Sequence, residues 1–296
     1  MEEVVAVTGA TGFIGRFLVP RLLDDGRRVR AVVRDALRAA SVLPPAAQRV
    51  SGDLADEDAL TRALSGARTV IHLVGIIRGR SSEFAAVHRE GTARLLRAAR
   101  RSGSVDFFIY VSALGADAAS INPYLRTKGE AEALVQESGI PFLILRPALV
   151  LGRGDGFTTP LVQVLRQSPV IPIIGSGRYP LRPVAVGDLV TLISRATDGA
   201  IRNLIFTVAG PQEVTYADLV RMLSTTMGLR KPLVRLPLFL VSSAVRGLES
   251  AVPNPVLSSL QLDLLRRGST GDPGPAVQAF GLDLTPLGKA LEEAVR

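Results

Sequence analysis

The sequence predicts an α/β fold: a doubly wound parallel sheet with a smaller, mostly helical C-terminal region attached. Three observations carry that expectation. From residue 4 to residue 146, short β-branched and apolar runs alternate with longer amphipathic segments, and the runs are apolar on both faces, as central parallel strands must be. A glycine-rich turn, Gly9-Ala10-Thr11-Gly12-Phe13-Ile14-Gly15, joins the first run to the first amphipathic segment. Beyond Arg146-Pro147 the alternation breaks.

Residues 4–8, 29–33, 49–51, 69–74, 107–111 and 142–145 read as strands, and 13–24, 57–64, 83–101 and 124–137 as helices. Gly26, Gly103 and Gly139-Ile140-Pro141 supply the stops after the first, third and fourth helices. Strands alternating with helices over this length require crossovers that place helices on both faces of the sheet. In the second half, a loop at 152–156 precedes a helix at 159–167 and a proline-punctuated strand at 170–174. A helix at 186–196, a strand at 203–208 and a helix capped by Thr215, with Asp218 three residues on, follow. Two apolar helices, 238–248 and 255–265, come before a short terminal helix after Thr285-Pro286. The expected division is a core over 1–147, to which 181–209 returns, and a cap over 148–296 that is not an independent domain.

The composition narrows the chemistry. With 47% hydrophobic and 21% charged residues the chain is globular in character, and no cysteine is present, which excludes disulfides, thiolate metal sites and a cysteine nucleophile. Two histidines, His72 and His88, are too few for most zinc centres. The net charge of +8 is carried by arginine, since Lys128, Lys231 and Lys289 are the three lysines among 35 basic residues. Nucleic acid is not the expected partner for it, because aromatics are 5% and tryptophan is absent. Met-Glu-Glu at the start is unlike a secretory signal, and the longest apolar run, 236–245, is about half a membrane span. A cytoplasmic protein is expected, with peripheral contact to the inner face of a membrane as the variant of that reading.

Glycines between a first strand and a first helix let the chain turn tightly and bring backbone amides against a pyrophosphate, while the helix N-terminus supplies partial positive charge. Gly9, Thr11, Gly12, Phe13, Ile14 and Gly15 are therefore candidate dinucleotide contacts. Arg34 follows Gly15 by nineteen positions, at the end of the second strand, where an arginine accommodates a ribose 2′-phosphate and an acid binds the 2′-hydroxyl. This favours NADP, with Arg16 and Arg38 as further phosphate contacts, while Asp35 next door keeps NAD in play.

The T-G-A-T-G-F-I-G spacing resembles the TGxxGxxG signature of extended and atypical short-chain dehydrogenases/reductases, the Rossmann-fold SDR family. Other segments agree in chain order: Ser51-Gly52-Asp53-Leu54, Val70-Ile71-His72-Leu73-Val74-Gly75, Tyr124-Leu125-Arg126-Thr127-Lys128 and Leu145-Arg146-Pro147. The resemblance implies that Asp53 and Leu54 lie at the adenine, that Val74, Gly75 and Pro147 border the cofactor, and that Tyr124 and Lys128 form the YxxxK pair. Tyr124 would then move a proton and Lys128 would tune it and contact the nicotinamide ribose. The same spacing also suits a surface tyrosine and an ordinary Lys128–Glu132 pair.

Two departures from the family pattern stand out. Ser112 follows the fifth strand, but Ala113 and Leu114 occupy the positions where active members carry the working hydroxyl. His88 stands where the family has an asparagine that supports the lysine, and a lone histidine on an amphipathic helix is more often structural than catalytic. These features, with Val208-Ala-Gly-Pro-Gln-Glu-Val-Thr-Tyr-Ala-Asp-Leu219, resemble the atypical group that includes the NAD(P)H-binding accessory subunit of respiratory complex I. The resemblance implies either an oxidoreductase acting on a small apolar, quinone-like carbonyl or a nucleotide-binding scaffold or redox sensor associated with complex I or quinone metabolism. The apolar, arginine-containing stretch 230–247 reads as cleft wall or as a membrane-facing surface.

Overall fold

A computed structural model describes residues 3–251 and 257–295. Seven strands build the main sheet: β1 (Val4–Thr8), β2 (Arg28–Val33), β3 (Gln48–Ser51), β4 (Ala67–His72), β5 (Phe107–Val111), β6 (Phe142–Pro147) and β7 (Leu204–Val208). Their order is β7-β6-β5-β4-β1-β2-β3, and the pairings from β3 through to β6 are all parallel. The chain reverses its direction of travel across the sheet between β1 and β4. That reversal is the place where open α/β sheets leave a crevice beyond the strand ends.

The core explains why these runs are strands. Every residue of β5, Phe-Phe-Ile-Tyr-Val, is buried. Val70, Phe108, Tyr110 and Ile144 from neighbouring strands share a cluster with Leu60, Leu64, Leu95, Leu96, Ala131 and Val135 from helices. Helix starts follow side-chain chemistry: Asp56 accepts the Ala59 N–H at 2.9 Å to open Glu57–Leu64, and Thr215 accepts the Asp218 N–H at 3.1 Å to open Tyr216–Thr226.

Three expectations need correction. The fourth strand spans Ala67–His72, not 69–74, because the apolar Leu73-Val74 has already left the strand to border the glycine turn. The first helix begins at Gly15, since Phe13 and Ile14 belong to that turn. The helix expected over 83–101 runs in three contiguous pieces, Ser81–Phe84, a π-helical Ala85–Glu90 and Gly91–Ser102. The helices Ala36–Ala40 and Gly274–Phe280 and the strand Leu233–Leu236 carry short patterns that gave no sequence signal. Positions 255–256 of the expected helix 255–265 lie outside the described residues, and the helix there is Ser259–Arg267.

The chain divides into two compact units. The first comprises 1–147, 187–207 and 274–282 and contains the seven-stranded sheet; the second comprises 148–186, 208–273 and 283–296. The second unit has its own core, in which Leu165, Ile171, Ile173, Leu181, Tyr216, Leu219, Val220, Leu223 and Leu291 are all buried.

Candidate functional site

The glycine turn is shaped by backbone crowding. Gly9 has φ +74°, a left-handed conformation, and a side chain there would lie 3.0 Å from the Leu73 carbonyl carbon and the Val74 nitrogen. A Cβ on Gly15 would run into the carbonyl oxygens of Gly9 and Ala10, and one on Gly12 would come within 3.1 Å of the Gly9 oxygen. The Gly12 N–H bonds back to that oxygen at 3.0 Å, closing the turn. The helix Gly15–Asp24 then starts with no side-chain cap and no acidic residue in its first turn. The Arg16, Phe17 and Leu18 amides bond back to the carbonyls of Gly12 and Ile14, at 3.1, 3.1 and 2.9 Å, and the dipole of the uncapped end favours an anion there.

At the end of β2, Arg34 is exposed and forms no hydrogen bond or ion pair among the described residues. The neighbouring Asp35 carboxylate is occupied as an N-cap, accepting the Arg38 N–H at 2.9 Å. Arg16 lies with its guanidinium 5.8 Å from the ring centres of both Phe13 and Phe17. Asp53 turns the chain after β3 by accepting the Ala55 N–H at 2.8 Å. Leu54 packs toward the core, 2.9 Å from where a Cβ on Gly91 would stand. Pro147, closing β6, is buried and accepts the Leu114 N–H at 2.9 Å.

Asn122 sets the start of the helix Pro123–Gln136, which carries Tyr124 and Lys128: its side-chain oxygen accepts the N–H groups of Tyr124 and Leu125 at 3.1 and 3.2 Å, and Pro123 occupies the first turn. Gly129 lets the helix approach so closely that a Cβ would strike the backbone of Asp117 and Ala118. Asn-Pro before the tyrosine and a glycine inside a helical pattern were the available signals for both.

Lys128 is buried, donates to the Val111 carbonyl at 2.9 Å and holds its ammonium 4.8 Å from the centre of the Tyr110 ring. A Cβ on Gly75 would lie 3.3 Å from its Nζ, which brings Gly75 and the lysine together. Burial pulls the Lys128 ammonium down to about 8 although Glu132 pushes the other way, and burial pushes the Tyr124 phenol up to about 12. The reading of Lys128 and Glu132 as a surface pair does not hold. Glu132 is itself buried and takes a bidentate grip from Arg146, with Nε at 3.0 and 3.1 Å from its two oxygens and Nη2 at 2.5 Å. Ser112 follows β5 with its Oγ buried and without a hydrogen-bond partner among the described residues, an arrangement that invites a ligand atom.

Behind the pair lies a buried polar chain, most of which no local pattern announced. His88 sits in the π-helical stretch and accepts the Ile76 N–H at Nε2, 3.0 Å away. That acceptance puts the ring proton on Nδ1, which faces Thr127 Oγ1 at 2.9 Å. Thr127 in turn donates to the Pro123 carbonyl at 2.8 Å. The His88 ring meets the Tyr124 ring edge-on at 5.6 Å. His72 lies between Thr8, at 2.7 Å, and Thr92, at 3.1 Å, and stacks on Tyr110. Burial, then the Lys128 charge, holds both imidazoles down to about 3, so both are neutral.

The turn after β1, the uncapped helix N-terminus and the buried, unpartnered serine fit a dinucleotide, and with this strand order they define a Rossmann-type nucleotide-binding protein. A family model described as NAD(P)H-binding matches residues 9–167. The chain belongs to that NAD(P)H-binding family, in keeping with the SDR resemblance of its motifs. It is 34% identical over 238 residues to a ceramide reductase of Caulobacter vibrioides, covering 79% of this chain and 74% of the relative. It is 30% identical over 228 residues to the mitochondrial NADH dehydrogenase [ubiquinone] 1 alpha subcomplex subunit 9 of Arabidopsis thaliana, a match spanning 74% of this chain and 57% of that subunit. Among solved structures, UDP-glucose 4-epimerase from Thermotoga maritima shares the fold with a TM-score of 0.79 at 23% identity, covering 99% of this chain and 97% of the epimerase.

Proposed function

We propose that the protein is an NADP(H)-dependent oxidoreductase that reduces, or forms by oxidation, an apolar carbonyl compound. The observation that supports this reading is the buried Lys128, which donates to the carbonyl of Val111, the residue before the unpartnered Ser112, stands against Gly75 and lies one helical turn after Tyr124. When bound, the nicotinamide supplies or accepts the hydride. Tyr124, neutral with a phenol pushed up to about 12, holds the proton that a carbonyl oxygen needs on reduction. Lys128, one helical turn on, supplies the positive charge that would favour the phenolate left behind. Ser112 Oγ orients the carbonyl. Gly9, Thr11, Gly12, Phe13, Ile14 and Gly15 hold the pyrophosphate, Asp53, Leu54, Val74 and Pro147 border the nucleotide, and Arg34 meets a 2′-phosphate, a role favoured by the commitment of Asp35 to its helix cap. The relative named a ceramide reductase supports a lipid-like substrate.

A second reading is a nucleotide-binding scaffold or redox sensor without turnover. Ala113 and Leu114, which bring no hydroxyl next to Ser112, favour it, as do the relatives named as subunits of NADH dehydrogenase. Denaturing the purified protein and identifying the released nucleotide, then following the near-ultraviolet absorbance of reduced nicotinamide with long-chain ketones, aldehydes and quinones, separates the two. Turnover lost in Tyr124→Phe supports the enzyme; tightly held, unreactive NADPH supports the scaffold. An Arg34→Ala variant with an unchanged NADP/NAD affinity ratio removes the arginine assignment.

A further inference from the structure

The second unit presents an apolar surface for which the nucleotide chemistry has no use. Its strand Leu233–Leu236 pairs in parallel with Ile171–Ile174. Ile171 and Ile173 of the inner strand are buried, whereas all four residues of the outer strand are exposed. Pro237 follows, and the helix Leu238–Ala251 begins at once. This helix docks along one stripe, Leu238, Val241, Ser242 and the buried Val245, at the spacing of a helix face. Its outer side carries Phe239, Leu240 and Leu248, which are 69%, 55% and 50% exposed. Large apolar side chains in this density on the water-facing side of a docked helix mark a contact surface.

The unengaged charges beside them are of one sign. Arg230, Arg235 and Arg246 are exposed; the first two form no ion pair among the described residues, and Arg246 reaches the Ser243 hydroxyl at 3.5 Å. Glu249, the single carboxylate between residues 230 and 249, is already engaged by the N–H and hydroxyl of Ser259 at 2.8 and 2.6 Å. An apolar helix face bordered by unneutralised arginines complements a surface with an apolar interior and anionic phosphates at its boundary. A second copy of the chain fits less well, because a two-fold contact through this face would bring one copy's arginines against the other's. No helix among the described residues is long and apolar enough to cross a membrane, so the contact made this way lies in the interfacial plane.

We infer that the face formed by Leu233–Leu236 and the outer side of Leu238–Ala251 docks on an anionic lipid bilayer. Phe239, Leu240 and Leu248 enter the boundary between headgroups and acyl chains, and Arg230, Arg235 and Arg246 meet lipid phosphates. The inference stands independently of the reaction proposed above.

Flotation of the full chain with vesicles tests it, using phosphatidylcholine alone and phosphatidylcholine mixed with phosphatidylglycerol. The wild type is expected to float with the mixed vesicles and to be released by salt. Phe239→Ser/Leu240→Ser is expected to bind at least about tenfold more weakly, and Arg230→Glu/Arg235→Glu to lose roughly fivefold per arginine. Both variants change exposed residues, and unaltered nucleotide binding and thermal unfolding establish that they are folded. Absence of flotation, equal binding to both vesicle types, or a dimer dispersed by Phe239→Ser/Leu240→Ser without vesicle binding would each overturn the inference.

Discussion

Acidification through the histidine range is expected to destabilise the protein steeply. His72 and His88 are fully buried, and both are held down to about 3, by burial first and the Lys128 ammonium second. In the unfolded chain they titrate near 6.5. Above that value neither state takes a proton; below it the unfolded state binds one at each imidazole and the folded state does not. Their full stability is therefore present above about pH 6.5 and is lost as the pH falls toward 3, at about 1.4 kcal/mol per pH unit for each histidine. Between about pH 7 and 5.5 the two together lose about 2.5 kcal/mol, a large share of a typical net stability of ~5–15 kcal/mol. The carboxylates with lowered values, Asp25 and Asp218, act only at lower pH, below their ordinary range. Urea unfolding followed by circular dichroism at constant ionic strength measures the effect, and His88→Gln is expected to halve the slope. A midpoint that stays constant over this interval, or either imidazole titrating near 6.5 in the folded protein, would refute the reasoning.

Removing the Lys128 charge with Lys128→Met raises both histidine pKa values, because that ammonium is the second cause of each shift; proton NMR of the two imidazoles reads it directly. Glu132→Ala leaves the Arg146 guanidinium, itself about one-third exposed, without its buried partner, and is expected to cost about 3 kcal/mol in chemical denaturation. Gly129→Ala drives a methyl into the Asp117–Ala118 backbone and is expected to lower the melting temperature by several degrees and weaken nucleotide binding, whereas the same change at Gly66, where nothing lies near, costs only its left-handed φ. Gly15→Ala pushes apart the Gly9 and Ala10 carbonyls and is expected to reduce nucleotide affinity at least tenfold by calorimetry, with the sheet intact by circular dichroism.

Much of this architecture was written locally. Burial on both faces shows in a strand such as Phe107–Val111 as an unbroken apolar run, and the glycines of the first turn are demanded by backbone crowding that any chain following that path would meet. Local pattern failed where two long-range contacts competed for the same residues. Leu73 and Val74 are as apolar as the strand before them, yet they turn aside because Gly9 packs against their backbone. The π-helical stretch at Ala85–Glu90 leaves the apolar periodicity of its helix readable and was invisible for that reason. Lys128 and Glu132 have the spacing of a surface pair, and only packing shows the lysine over Tyr110 and the glutamate on Arg146.

The sequence by itself determined the alternating parallel sheet, the glycine turn after its first strand and the placing of Tyr124, Lys128 and Ser112 along the chain, because period and spacing along one chain are local properties. Tertiary structure alone decided their electrical state: which cation is buried, which histidines are neutral, which carboxylates are already committed and which hydroxyl remains free. Those outcomes depend on desolvation and on partners brought from distant parts of the chain, and neither is encoded in the spacing of neighbours.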